Sequence, residues 1–432
     1  MLTSILDGIF NGLSVGSVLL LAALGLAIVF GLMGVINMAH GELMMLGAYT
    51  TFVVQNGFKQ LGETWLPFYI FFAVIAAFIV AALVGLALER GVIRFLYGRP
   101  LETLLATWGV SLILQQFVRS VNWVLIAGLI GFCLLFFGGL WLLQKRVDLS
   151  RIPQWTIDIS LLIGTIVAFA LGFSGVGIGL LLLEGFWRLQ CYARIENMQN
   201  WVIVVLLLLS GGIAGGIGAL MSQTYGLAVT KPWFGAQNVD VTAPKWLLGG
   251  LPIGNYQLPY TRMFIMVLTV LCVLGIYFFL NRTPWGLRIR SVTQNRNMSA
   301  CLGIPTQKVD ALTFALGSGL AGIAGCAVSL LGSVGPNTGQ NYIVNTFMVV
   351  VVGGVGKLVG TIVGAMVIGI TDYIVGTGIL ALLFTPVKPL ADFFTFFATT
   401  SMAKVMVFFL IVVFLQFRPA GLFPQKGRTV DA

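Results

Sequence analysis

The chain has 432 residues, of which 58% are hydrophobic and only 9% are charged, and this composition excludes a soluble globular protein. Its formal net charge is +10, but the basic residues lie mostly in short segments between apolar stretches, which indicates membrane topology rather than nucleic-acid binding. The apolar stretches lack the alternation of a β-barrel strand, so we expect an all-α polytopic membrane protein with about ten transmembrane or membrane-embedded helices.

Residues 1–123 are predicted to form the N-terminal membrane half of the protein. Its apolar segments are 11–33, 34–55, 67–88 and 101–116. Residues 67–88 have about the length that a bilayer needs, roughly 20 residues. Residues 89–100 contain three arginines, which predicts a cytoplasmic loop, and the three crossings before this loop place the N-terminus outside.

Residues 124–232 are predicted to be inserted extra membrane segments. Apolar residues 124–143 precede a basic loop at 144–151, and glycine-rich residues 157–183 precede a second basic segment. If both basic segments are cytoplasmic, residues 157–183 must enter and leave the membrane on one side as a re-entrant hairpin. The alternative is that residues 157–183 cross the membrane completely, and the two basic segments would then lie on opposite sides of it.

The C-terminal part is predicted to begin with an outer loop at 233–262. Residues 263–425 then form the C-terminal membrane half, and residues 426–432 form a tail. The apolar segments of this half are 263–280, 311–331, 346–370, 372–384 and 403–417, with an outer segment at 332–345. Because residues 418–432 are basic, the C-terminus is expected in the cytoplasm.

Residues 281–310 are the longest polar stretch in the second half of the chain. Five basic residues crowd into it, and only Asp310 at its edge is acidic. The spacing of its apolar residues predicts one short amphipathic helix, which Gly303 and Pro305 would end. The apolar positions are Leu287, Ile289, Val292, Met298, Cys301 and Leu302. Such a helix at the cytoplasmic face would give a partner protein a surface to push on.

Two polar groups lie within apolar segments. The first is Asn37, His40 and Glu42, which are costly in a bilayer unless they face a cavity or one another. They either line a substrate path or lie at a turn between the first two membrane segments, solvated or capping it. The chain has a single histidine and scattered cysteines, so no metal site is expected.

The second group is Thr107, Ser111 and Gln115, which share one helical face at a spacing of four. Uncharged donors and acceptors suit a neutral amide or a zwitterion, and interhelical hydrogen bonding is the alternative. Asp372 has the same two interpretations, contact with substrate or interhelical hydrogen bonding. No pair of carboxylates, catalytic triad or metal cluster is apparent, so the chain is not expected to be an enzyme.

Small residues recur at a spacing of four and predict close helix packing. They are Gly211, Gly215 and Ala219; Gly317, Ala321 and Gly325; and Gly356, Gly360 and Gly364. The run 353–361 superficially resembles a phosphate-binding loop but lacks its first glycine and its final serine or threonine. We expect this run to lie inside an apolar helix, and the chain to have no ATPase of its own.

Short motifs of the sequence are similar to those of a known family. They are Asn37-x-Ala39-His40-Gly41-Glu42, Glu89-Arg90, Arg99-Pro100-Leu101, residues 286–304, residues 353–356 and residues 418–422. With them, residues 5–123 and 235–425 resemble the permease subunits of branched-chain amino-acid and urea ABC importers.

The resemblance implies a multi-pass protein of the bacterial plasma membrane that works with several partners. These are a second permease subunit, cytoplasmic ATP-binding subunits and an outer substrate-binding protein, with ATP on the partners and no cofactor in this chain. Residues 286–304 correspond to the family's ATPase-coupling segment. The positions expected to carry this role are Gly286, Arg288, Arg290, Arg296, Leu302 and Gly303.

Three runs, at 107–116, 281–304 and 334–344, resemble the family's urea permeases most, so urea is the expected substrate. Branched-chain amino acids or short amides are the alternative. A stand-alone channel or secondary transporter is the second alternative, but it predicts ion-coupled charged pairs in the middle of the membrane, which the sequence does not show.

Overall fold

The computed structural model describes residues 2–122, 231–235, 237–253, 256–383 and 388–423, and the single positions 126, 211, 212 and 216. The predicted insertion at 124–232, with the hairpin at 157–183, lies outside the described residues apart from a few positions, and the tail at 426–432 lies wholly outside them. The chain divides into two compact units, one formed by 1–116 with 236–432 and the other by 117–235.

The described part is mostly helical. Its helices are α1 (Leu2–Met33), α2 (His40–Leu61), α3 (Tyr69–Gly91), α4 (Pro100–Ser120), α5 (Tyr260–Arg282), α6 (Pro284–Gln294), α7 (Arg296–Cys301), α8 (Thr306–Ser329), α9 (Thr338–Gly353), α10 (Leu358–Gly376), α11 (Ile379–Leu383), α12 (Lys388–Phe396) and α13 (Thr400–Phe417). Six of these, α1, α3, α4, α5, α8 and α10, are long and apolar enough to cross a membrane. The predicted all-α polytopic fold is confirmed.

Helix α8 is the centre of the larger unit. It packs against α1, α2 and α3, and its residues Ala321, Ala324 and Ala327 are fully buried. Helices α3 and α5, by contrast, leave large apolar side chains exposed, such as Phe72 and Leu271. Exposed apolar faces on helices of this length are what lipid contact requires.

The predicted helix at 346–370 is wrong as a single element. Helix α9 starts earlier than predicted, at Thr338 within the expected outer segment, and ends at Gly353. Gly354 and Gly356 then have φ values of +97° and +84°. This left-handed backbone favours glycine and ends the helix, and α10 begins at Leu358. Gly356 therefore lies in a turn, not on the predicted helical stripe.

The predicted outer loop contains a small hairpin. Strands β1 (Gly250–Ile253) and β2 (Tyr256–Pro259) are antiparallel, with Leu251 opposite Leu258. Residue Thr242 ties the loop to the membrane helices, because its carbonyl oxygen accepts hydrogen bonds from Gln55 Nε2 and Tyr69 Oη, both at 2.8 Å. The loop therefore lies at the C-terminal end of α2 and the N-terminal end of α3.

Candidate functional site

The basic segment between α5 and α8 forms two short helices, not the single one predicted. Thr283 caps α6 by accepting a hydrogen bond at Oγ1 from the backbone nitrogen of Gly286, at 3.1 Å. Asn295 has extended backbone angles that end α6, and its Oδ1 caps α7 by accepting from Met298 nitrogen at 2.9 Å. Each cap satisfies a backbone donor that has no partner inside its helix. Gly303 follows α7 with a φ of +80°, in agreement with the prediction that this glycine ends the helical segment.

Helix α6 docks on its own chain through a narrow apolar face. Ile289 and Val292 are buried against Val309 of α8. Gly286 lies against the carbonyl oxygens that end α5, where any side chain would collide with backbone. These contacts fix the start and one face of α6.

Several apolar residues of the segment face away from the chain, contrary to the predicted amphipathic face. They are Leu287, Met298, Cys301 and Leu302, all of which are exposed. The spacing identifies which positions are apolar, but it does not show which of these side chains are buried against other parts of the chain. These exposed apolar side chains belong to the same segment as the basic side chains of α6.

The three arginines assigned to coupling have different contacts. Arg288 stacks over the ring of Trp285 at 4.8 Å, and Arg290 donates to Asn281 Oδ1 at 3.3 Å, both on the exposed side. Arg296 instead pairs with Asp310, Nη2 to Oδ2 at 2.5 Å, and lies over the ring of Tyr97.

Arg296 therefore links α7 to the start of α8 and to the loop after α3. The spacing of the apolar residues does not reveal this pair, although the sequence contains a signal for it. Asp310 is the single acidic residue beside five basic ones, and its side chain is only 4% exposed. A carboxylate that deeply buried needs a cationic or hydrogen-bonding partner.

The polar residues predicted on α2 and α4 meet in one network. Glu42 Oε1 accepts hydrogen bonds from Ser111 Oγ at 3.1 Å and from Gln115 Nε2 at 2.9 Å. All three side chains are buried. The contact joins two helices that are about 70 positions apart in the sequence, and it has the geometry of the interhelical hydrogen bonds left open as an alternative.

The remaining members of the predicted path are buried near the start of α2. Asn37 Oδ1 accepts from Ala39 nitrogen at 3.1 Å, and Thr107 Oγ1 accepts from Met38 nitrogen at 3.1 Å. His40 Nε2 lies 3.0 Å from the carbonyl oxygen of Ala22, so this nitrogen carries a proton and donates. The interpretation of His40 as a solvated turn residue is wrong, because the side chain is fully buried.

Removing the Glu42 carboxylate should destabilise the chain. Glu42→Ala would leave the donors of Ser111 and Gln115 buried without this acceptor, at a cost of about 2–4 kcal/mol. Glu42→Gln keeps an acceptor oxygen and should cost less. Thermal unfolding of the purified protein in detergent measures both. An Ala variant as stable as the wild type would show that the network does not hold α2 to α4.

Four of the small residues predicted for packing lie at helix crossings. Gly317 lies against Gly25 and Val29 of α1, and Gly325 lies against the backbone of α2. Gly360 and Gly364 approach α9, where Gly360 faces Gly353. Among the first predicted set, Gly215 and Ala219 lie outside the described residues.

The family comparison decides the class of protein. A family model described as "Branched-chain amino acid transport system / permease component" matches residues 8–415. The chain belongs to this family. The match spans nearly the whole chain, so the resemblance drawn from short motifs is confirmed at the level of the family.

Curated relatives agree with the family model. The chain is 23% identical over 419 residues to the high-affinity branched-chain amino acid transport system permease protein BraD of Pseudomonas aeruginosa, covering 96% of this chain and 95% of that protein. It is 21% identical over 371 residues to the corresponding protein LivH of Escherichia coli, covering 85% of this chain and 84% of that protein. No solved structure matches the chain.

Membership of the family fixes the general role of this permease. It is a multi-pass inner-membrane subunit of an ABC importer, and it is not an enzyme, because separate ATPase subunits hydrolyse ATP. The family also implies ATP-binding subunits and a substrate-binding protein as partners. The predicted absence of an ATPase in this chain is confirmed.

Proposed function

We propose that this chain is a transmembrane permease subunit of an ATP-driven importer of branched-chain amino acids. The observation that carries the proposal is the similarity to BraD over nearly the full length of both chains. The urea substrate expected from three sequence runs finds no support among the relatives named above, whose names specify branched-chain amino acids. Urea is therefore the second candidate, favoured by the runs at 107–116, 281–304 and 334–344.

The assembly we propose contains a second permease subunit, identical or a paralogue, beside this one. ATP-binding subunits would press on α6 and α7 from the cytoplasm, where the exposed apolar and basic side chains of these helices face away from the rest of the chain. With this face in the cytoplasm, the N-terminus lies outside and the C-terminus inside. The chain itself needs no cofactor, and ATP binds the partner subunits.

The predicted path residues have a supporting part in this proposal. Ser111 and Gln115 each donate a hydrogen bond to Glu42, and Asn37, His40 and Thr107 form hydrogen bonds with nearby backbone. They can serve transport by holding α2 and α4 in register, or by exchanging these bonds for bonds to substrate when the helices move.

Uptake by the reconstituted importer separates the two substrates. Vesicles that hold this chain with its partner subunits and binding protein should accumulate labelled leucine only when ATP is present. Urea in large excess should leave leucine uptake unchanged. ATP-dependent urea uptake that is insensitive to leucine would contradict the amino-acid proposal and support urea. Uptake by this chain alone without ATP would indicate a channel.

A further inference from the structure

A polar cavity lies at the end of α8 that is remote from the coupling helices. Its volume is about 490 Å³, which is within the range of small-molecule sites. It lies among α1, the connection from α8 to α9, α9 itself, α10 and α13. It includes none of the polar residues predicted to line a path on α2 and α4.

Two opposite charges line this cavity. Asp372 belongs to α10, Lys404 belongs to α13, and both are half-buried. In the described part of the chain, no ion pair within 4.0 Å joins them, and neither side chain forms a hydrogen bond there. Charges buried within apolar helices are costly, and they persist where a partner or a function uses them.

The cavity is also lined by uncharged polar groups. Asn341 and Asn345 are one helical turn apart on α9, and Tyr342 lies between them in sequence. Within the described residues, neither asparagine side chain has a hydrogen-bond partner. Each amide offers both donors and an acceptor to a bound molecule.

The cavity lining also includes apolar side chains. Val15 and Leu19 of α1 and Val328 of α8 contribute aliphatic side chains, and Leu331 adds another at the end of α8. A cavity with a cation, an anion and an aliphatic wall matches one kind of small molecule. A neutral amide needs neither charge, and a simple ion would be repelled by one of the two.

We propose that this cavity is a binding site for the zwitterion of an aliphatic amino acid on its way through the permease. Asp372 binds the ammonium group, Lys404 binds the carboxylate, and the wall formed by Val15, Leu19 and Val328 contacts the aliphatic side chain. Asn341 and Asn345 bind the remaining polar atoms. This inference rests on the proposed function and adds the place where the substrate is held.

The position of the cavity suits entry from the outer side. Helix α8 starts at Thr306, just after the coupling helices, and its residue Val328 is roughly 33 Å further along the helix axis at 1.5 Å per residue. A cytoplasmic coupling segment therefore places the cavity near the outer surface. A substrate released by the binding protein would meet this site before it crosses between the helices.

Neutralising the two charges tests the proposal. In the reconstituted importer, Asp372→Asn and Lys404→Gln should each lower leucine uptake about tenfold or more, because each removes a charge-assisted bond to the zwitterion. ATP hydrolysis stimulated by the loaded binding protein should persist, because neither residue lies on the coupling helices α6 and α7. The matched controls are Asp240→Asn and Lys59→Gln, both exposed and outside the cavity, which should leave uptake unchanged.

The outcomes distinguish this inference from the proposed function. If the wild-type importer transports urea and not leucine, the proposed substrate is wrong and the zwitterion site is wrong with it. If the wild type transports leucine and both neutralised variants do so equally well, only the cavity assignment is overturned. Loss of uptake together with loss of stimulated ATP hydrolysis would also overturn it, because the charges would then serve docking or folding. Selective loss of uptake supports the site.

Discussion

Replacing Gly325 by valine is expected to abolish the folded permease. A Cβ atom at this position would collide with the carbonyl oxygen of Met44 and would lie 2.9 Å from the backbone nitrogen of Ala48. Both atoms belong to the backbone of α2, so they cannot rotate away as a side chain can. The helices would have to separate, and the close packing that holds α8 in the centre of the unit would be lost.

A second glycine provides the matched control for this change. Gly275 on α5 is exposed, and a Cβ atom there would meet nothing within 4 Å. Gly275→Val adds the same side chain to a membrane helix without a collision, and it should fold as the wild type does. Size-exclusion profiles of the solubilised protein measure the result. If Gly325→Val gives the same monodisperse peak and thermal stability as Gly275→Val, the crossing of α8 and α2 is not tightly packed.

The glycine stripe on α8 shows what a single sequence can provide. A spacing of four correctly placed Gly317, Ala321 and Gly325 on a helix, because the geometry of one helix repeats locally. The same spacing wrongly predicts that Gly356 is helical. Gly354 and Gly356 have positive φ values and end a helix within an apolar run. Local patterns do not report a break that the surrounding sequence does not mark with polar residues.

The contacts between helices were harder to predict than the helices. Glu42, Ser111 and Gln115 each stand out in the sequence as polar residues in apolar segments, but the hydrogen bonds to Glu42 join positions 69 and 73 residues apart. Nothing in a single sequence states which helices are neighbours. The cavity was missed for the same reason, because Lys404 is an isolated lysine until the fold places it near Asp372.

Removing the exposed positive charges of α6 is expected to uncouple transport from ATP hydrolysis. Arg288 and Arg290 lie on the exposed side of a helix whose opposite face is buried, so Arg288→Gln with Arg290→Gln removes charge without opening the core. Leucine uptake should fall at least about tenfold, which corresponds to roughly 1.4 kcal/mol in the activation free energy of transport. The amount of folded protein in the membrane should not change.

Arg296 requires a separate variant, because its substitution has two effects. Arg296→Gln breaks the pair with Asp310, whose side chain is nearly buried, and should cost about 1–3 kcal/mol of stability. The cost is below that of a fully buried pair, because the Arg296 side chain is 42% exposed. A triple variant of Arg288, Arg290 and Arg296 should therefore lose both coupling and stability.

Parallel measurements of uptake, ATP hydrolysis and thermal unfolding separate these effects. The double variant should lose uptake with an unchanged unfolding temperature, and Arg296→Gln should unfold at a lower temperature. Lys59→Gln removes an exposed positive charge on α2, outside the basic segment, so it is the matched control and should change neither property. Wild-type uptake by the double variant would contradict the coupling role of α6. The exposed apolar residues, such as Leu287 and Leu302, would then be the remaining surface through which an ATPase could act.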